Sequence, residues 1–451
     1  MRFPSRTGRM SATLLAAFAL ATAGGHSVAA QTRQSTTDSL IYDLKNPDAP
    51  RRQSATRDLG IAKFLPAIPA LLPLAGDPDA SVRRELELTL EAMNDIRVLP
   101  GLVQLSADPE ADIRERSVRA LVNLHLPRAT GPTAALAKLG SLIAAWSDEY
   151  SDTVVEPDVP VDPSVVTALR ARLSDTEDGI RRLTGRGLGI LRPEAAIPEL
   201  VLAAAQDRDP EVRFEAVRAL RKIGNPAVGE RLIPMLDLNA EKVRLELITT
   251  LGKLKYRPAV PELTRVFEQA KASDHARPLA LSALADIADP ASQPMFLGLK
   301  TDKDATIRLY ANEGLARLAD KSLETVMSAD RLVEKNVRVQ TAQAFGLLRM
   351  GRQEYLEELV RSLGRSTTKD LAREYLLETP SAERAALFGA TSKSAAVRAE
   401  LADVLGLMKD ESALPALQEL KRDTHGEVAR NAERAVRRIT AAATTAGTQF
   451  D

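Results

Sequence analysis

The stretch DPEVRFEAVRALRKIGNPAV at positions 209–228 is one copy of a pattern that returns at a nearly constant interval along most of the chain. Aligned on its Arg213, matching arginines stand at Arg51, Arg83, Arg114, Arg181, Arg244, Arg277, Arg308, Arg338, Arg373 and Arg398, and Ala429 takes the twelfth register. Most steps between neighbouring registers are almost equal, and the position before the register is β-branched in nine of the twelve copies, as at Val82, Ile113, Val212 and Val397. Six positions ahead of the register an aspartate recurs as Asp77, Asp108, Asp175, Asp207, Asp302 and Asp423. A fixed period of this length marks a supersecondary unit copied along the chain. No copy can cover its own apolar face, so copies stack and bury a continuous core.

Each copy reads as two helices. In residues 195–224, AAIPELVLAAAQD forms the first, with Pro198 tolerated in its opening turn, DRDP forms the turn, and EVRFEAVRALRKI forms the second, closed by Gly224. Val212, Ala216, Val217, Leu220 and Ile223 then share one face of the second helix, with Glu215, Arg218 and Lys222 on the other. Aromatics make up only 4% of the chain while Ala, Leu, Arg and Glu dominate, which also favours helix over strand.

The recurrent Arg sits near a helix N-terminus, where the helix dipole disfavours a cation, so a structural partner must hold it there. The turn aspartates supply one, by capping the second helix and by pairing with the Arg of the same or the adjacent copy. Asp77, Arg83, Asp108, Arg114, Asp175, Arg181, Asp207, Arg213, Asp302 and Arg308 are therefore expected to form a structural ladder.

Proline in the first helix, DxDPxVR in the turn and Ala-rich second helices ending in LGxL or IG resemble HEAT repeats, in particular the HEAT-like repeats named after phycocyanobilin lyases. The resemblance covers residues 36 to 440. It implies an all-α fold, an α-solenoid of about twelve stacked antiparallel helix pairs whose second helices line a concave surface that holds partners. It implies no activity, because the same scaffold serves binding proteins and some enzymes.

Several features interrupt the repeat. The step from Arg114 to Arg181 is about two periods long, which leaves room for an insert at 131–162, with an extra helix at 132–146 and an acidic loop, SDEYSDTVVEPDVPVD, at 147–162; the stretch reads either as an exposed binding loop or as a worn-down repeat that has lost its second helix. The step from Arg373 to Arg398 is instead shorter than any other, so the first helix near 381–389 is short. The tail at 441–451 lacks periodicity and is expected to fray. At the other end, Arg2, Arg6 and Arg9, the apolar run SATLLAAFALATA and the small residues before Gln31 read as a signal peptide at 1–30. This places the mature chain, whose solenoid is expected at 31–440, in the periplasm or outside the cell, with no transmembrane anchor after cleavage. There is no cysteine, so its stability comes from packing.

The residues offer little chemistry. Beyond the signal, the histidines are His125, His275 and His425, in repeats too distant to converge. No nucleophile elbow or phosphate loop is present, and the glycines of GRGLGIL at 185–191 fall inside a second helix. No catalytic, cofactor-binding or metal-binding residue is assigned and no cofactor is expected. A net charge of zero lacks the footprint of a nucleic-acid binder.

The remaining candidate is the exposed side of the second helices. Five positions past the register, the column that the apolar pattern places farthest from the core reads Arg119, Arg186 and Arg218 early and Glu313, Glu378 and Asp403 late, with Tyr310 and Tyr375 beside two of the acids. The pattern reads either as a solvated face with random signs or as a bipolar groove for an oppositely polarised protein partner, with the tyrosines as anchors. The function expected is a non-enzymatic interaction scaffold. The alternatives are a bilin-lyase-like enzyme, or a scaffold subunit of an envelope enzyme complex.

Overall fold

The computed structural model describes residues 37–126, 146, 152–237, 240–271, 273–389 and 391–447. The expected signal peptide at 1–30 and nearly all of the expected insert helix at 132–146 lie outside them. Among the described residues the regular structure is entirely helical, an α-solenoid of stacked helix pairs. The second helices, numbered in chain order, are α1 (Ala49–Ile61), α2 (Ala80–Met93), α3 (Ala111–Asn123), α4 (Asp178–Leu191), α5 (Pro210–Ile223) and α6 (Glu241–Lys253). They continue as α7 (Ala276–Ile287), α8 (Ala305–Leu318), α9 (Val337–Arg349), α10 (Lys369–Leu377), α11 (Ala395–Met408) and α12 (Gly426–Gly447). The chain divides into two compact units, one ending at Leu124 and one beginning at His125. α1 to α3 belong to the first and α4 to α12 to the second.

The first helices begin as the sequence requires. A 3-10 turn such as Glu194–Ala196 leads into a helix with proline in its first turn, as in Ile197–Gln206, Val260–Gln269 and Leu414–Leu420. Proline lacks an N–H that would be unsatisfied there in any case. The second helices end alike. Eleven positions past the register the backbone turns left-handed, at Asn94, Arg192, Gly224, Lys255, Ala288, Ala319 and Lys409. Only one of these is glycine. Lys63 occupies the same place in α1, which moves the register there to Arg52 and corrects the expected Arg51.

Consecutive second helices approach closely where a glycine of one meets an alanine of the next. A Cβ built on Gly252 would lie 2.6 Å from Ala283 Cα, and one on Gly406 would lie 2.6 Å from Ala435 Cα. Gly189 meets Ala219 in the same manner at 3.1 Å, so close packing is what the glycines of α4 provide. The core is then a row of Leu, Val, Ile and Ala shared between copies. Val82, Leu86 and Leu90 of α2 and Val212, Ala216, Val217 and Leu220 of α5 are buried.

The ladder runs between copies. Arg83 Nε and Nη2 donate to both carboxylate oxygens of Asp108 at 2.6 and 3.0 Å, while Nη1 donates to the carbonyl of Asp77 in its own turn at 2.9 Å. The same rung joins Arg52 to Asp77, Arg181 to Asp207 and Arg398 to Asp423. Arg114 and Arg213 likewise donate to the carbonyls of Asp108 and Asp207 in their own turns. The aspartates do not cap the second helices, contrary to expectation. Asp77, Asp108, Asp175, Asp207 and Asp302 each accept the amide two positions on, at Asp79, Glu110, Glu177, Asp209 and Asp304. Of these, Asp79, Asp209 and Asp304 make the cap bond themselves. Arg308 pairs with Glu334, not with an aspartate, and Arg277 lies over the Phe267 ring at 4.2 Å.

Three further departures stand out. The short first helix is Ser381–Phe388. The last second helix runs on to Gly447, past the boundary expected at 440, because the run AAATTA is rich in alanine, the best helix former. Residues 152–159 of the insert form no helix or strand, and Asp162 caps the first helix Pro163–Arg172 by accepting from Ser164.

Candidate functional site

The column expected to face solvent is covered. Arg218 is 2% exposed, Glu313 4%, Asp403 6% and Tyr375 0%. Arg119, Arg186, Tyr310 and Glu378 are half-buried. An amphipathic pattern identifies one apolar face, but a helix inside a stack is packed against its own first helix and against the second helices on both sides. In the middle of the stack the fifth position past the register therefore meets side chains of neighbouring second helices more than water, while Arg119 and Arg434 stay partly exposed.

In the second unit this position belongs to a wider charged stripe at two, five and nine positions past the register, spaced to share one helix face. Its acids and cations pair across neighbouring helices, so the expected column is compensated locally and not presented as an open groove. Arg186 of α4 pairs with Glu215 of α5, which also lies 3.8 Å from Arg218. Arg221 pairs with Glu246 of α6 at 2.7 Å. Arg373 and Arg438 both hold Asp403, the latter at 2.6 Å. A search of the fifth position alone missed Glu215, Arg221, Glu246, Lys253, Asp286, Arg317, Glu374 and Arg438. Reading the second and ninth positions beside it would have found most of them.

The densest part of the stripe surrounds Arg317 of α8, which is 7% exposed. Its Nη1 lies 3.3 Å from Asp286 and 3.5 Å from Glu313, and its Nη2 lies 3.0 Å from both Glu374 and Glu378. Lys253 of α6 reaches Glu374 of α10, 121 residues away, at 2.8 Å. Helices four copies apart thus meet along this side. Burial pushes the Glu313 carboxyl up to about 7, against the opposing pull of Arg317. Tyr375 Oη donates to Glu313 at 2.5 Å, and its ring stacks on Phe345 with centroids 4.5 Å apart. The tyrosine is a core residue tied to the acid, not an anchor open to a partner. Tyr310 is mostly covered as well, and burial raises its phenol above the ordinary value.

Residues 152–156 of the insert, Asp-Thr-Val-Val-Glu, lie on the stripe as an extended strap. Arg221 Nη2 contacts Asp152 at 3.2 Å and Lys222 Nζ donates to the Thr153 carbonyl at 3.1 Å. The Val155 amide donates to the Ile190 carbonyl in the last turn of α4 at 2.8 Å, and the Val155 side chain is buried. Arg438 of α12 grips both carboxylate oxygens of Glu156 at 2.5 and 2.8 Å. Burial first, and then the neighbouring Arg218, pull the Lys222 ammonium down to about 8.

Elsewhere, clefts of about 750, 580 and 400 Å³ open beside the rungs Arg398–Asp423, Arg181–Asp207 and Arg308–Glu334. Equivalent places in different copies make these a repeating surface groove between turns. Among the described residues no group of three or more His, Asp or Glu could hold a metal, and no helix is long and apolar enough to cross a membrane.

The HEAT-repeat family model matches residues 37–122 and 166–241, and that of the PBS lyase HEAT-like repeat matches 397–423. These parts of the chain carry HEAT repeats. Similar solved structures include an engineered protein, 19% identical, with a TM-score of 0.38 over 90% of this chain and 98% of its own. The complex of CpcE and CpcF of phycocyanin lyase from Nostoc sp. PCC7120 is 19% identical, with a TM-score of 0.34 over 60% of this chain and 92% of its own. Human deoxyhypusine hydroxylase is 21% identical, with a TM-score of 0.25 over 62% of this HEAT-repeat chain and 83% of its own. No curated protein matches the sequence significantly.

Proposed function

We propose that this HEAT-repeat protein is an exported, non-enzymatic protein–protein interaction scaffold, and that its partner surface is the charged stripe along the second helices of the second unit. The observation that carries this reading is the strap. The stripe already holds an extended segment through main-chain hydrogen bonds and charge pairs, as peptide-recognition surfaces do. HEAT repeats commonly mediate protein contacts.

The test is affinity capture from the envelope fraction, comparing the wild type with a variant carrying Lys255→Glu and Arg434→Glu. Lys255, which is exposed, flanks the stripe beside Glu378, and Arg434, half-exposed, is the stripe's fifth-position residue on α12 beside Asp403. A dominant partner that the wild type retains and the variant loses supports the scaffold. A partner held equally by both contradicts the assigned surface, and a co-purifying chromophore with visible absorbance favours a bilin-lyase-like enzyme instead.

A further inference from the structure

The strap differs from the helices of the stripe in one respect: no repeat contributes it. On the helices beside it, Arg186, Arg218, Arg221 and Lys222 face Glu215 and Glu246. Among the described residues these helices bring four cations and two acids to this face, and Asp152 adds an acid beside Arg221. At the other end Arg373, Arg434 and Arg438 converge on Asp403, and Glu156 provides the second acid for Arg438. Between these ends the contacts are those of peptide binding. One amide is donated to a free helix-end carbonyl, one carbonyl receives a lysine, and one valine is buried.

We infer that residues 152–156 act as an internal pseudo-ligand, and that the surface beneath them binds an extended acidic peptide of a partner protein, with acids four positions apart and an apolar residue just before the second. The inference rests on the scaffold reading and names its partner chemistry. Four extended residues span about 13 Å, which sets the distance between the two basic ends that a ligand must bridge. A tethered strap competes at an effective concentration in the millimolar range. The free surface is then a small fraction of the protein, and a ligand's apparent affinity falls by that fraction.

The experiment uses the full mature chain and a fluorescent peptide of sequence SDTVVEPD, residues 151–158, supplied in trans. Asp152→Arg with Glu156→Arg should release the strap and raise the peptide's affinity about tenfold or more over the wild type. Adding Arg438→Glu should remove the gain, and a peptide with both acids changed to lysine should not bind. Equal binding to wild type and released variant, or none to either, overturns the inference. Should the variant not fold, exchange of the Val155 amide in the wild type decides. Excess peptide must accelerate it, and unchanged exchange at saturating peptide overturns the inference. Envelope capture that depends on Lys255 and Arg434 but not on the strap would overturn the pseudo-ligand and leave the scaffold standing. Capture that depends on neither would remove both.

Discussion

Arg438 of the last second helix and Glu156, 282 residues earlier, form a two-point ion pair at 2.5 and 2.8 Å. The contact ties the segment that precedes the first helix pair of the second unit to the final helix of the same unit. In a stack whose copies touch mainly their neighbours, such a pair gives that unit a long-range tie that nearest-neighbour packing does not supply.

The ladder makes an internal comparison possible. Arg83 and Arg84 are adjacent in sequence, and each makes a two-point ion pair with an aspartate of the next copy, Asp108 and Asp112. They differ in burial, with the two side chains 11% and 2% exposed in the first pair and 40% and 48% in the second. Arg83→Ala leaves a buried carboxylate without its cation and should cost about 3 kcal/mol. Arg84→Ala should cost within about 0.5 kcal/mol. Urea unfolding of both variants checks this, and equal costs would show that burial does not set the strength of a rung.

Glu87 of α2 occupies a position that is Val118 in α3 and Val217 in α5, fully buried, with neither carboxylate oxygen hydrogen-bonded among the described residues. Burial pushes its carboxyl up to about 8, so the folded protein keeps it neutral at pH 7. A folded value raised above the unfolded one means the group costs nothing below about pH 4.5 and progressively more as pH rises to about 8, on the order of 3 kcal/mol at pH 7. Glu87→Leu should therefore stabilise the protein much more at pH 8 than at pH 5. A stability gain that is the same at both pH values would refute the burial argument.

Ala288 and Ala319 end their helices in the left-handed conformation, at φ 51° and 53°. An L-residue with a Cβ pays roughly 1 kcal/mol there that glycine does not. Ala288→Gly and Ala319→Gly should each raise the melting temperature, and a drop on both would mean that the unfolded chain's added freedom outweighs the relief of strain.

The signal peptide read from Arg2, Arg6, Arg9 and the apolar run after them predicts that the native protein begins at or near Gln31. N-terminal sequencing of the envelope fraction checks it. An intact Met1 on the bulk of the protein would contradict export.

Period, helix pairing and the arginine register were legible because each rests on local chemistry repeated many times. The partner of each arginine was not. The aspartate of an arginine's own turn and that of the following turn, such as Asp77 and Asp108 for Arg83, both lie within the pattern, and only three-dimensional stacking decides between them. The outward column failed for a related reason. Val212, Val217 and Leu220 mark one buried face of α5, yet Arg218 is also buried, because its neighbours are charged side chains from α4 and α6 that no single-helix projection contains. The strap was visible only as part of the acidic stretch 147–162, which has no helix period. Its docking on Arg221, Lys222 and Arg438 depends on contacts 69 and 282 residues apart.

The claim that the charged stripe is the partner surface is tested most directly by site-specific photo-crosslinking in cells. A benzophenone amino acid at Lys255, exposed beside the stripe, should give a discrete adduct with a partner protein. The same group at Leu332, 88% exposed on the first helix Glu324–Val333, should give none. Adducts from Leu332 with none from Lys255 would contradict the account and move the interaction surface to the first helices.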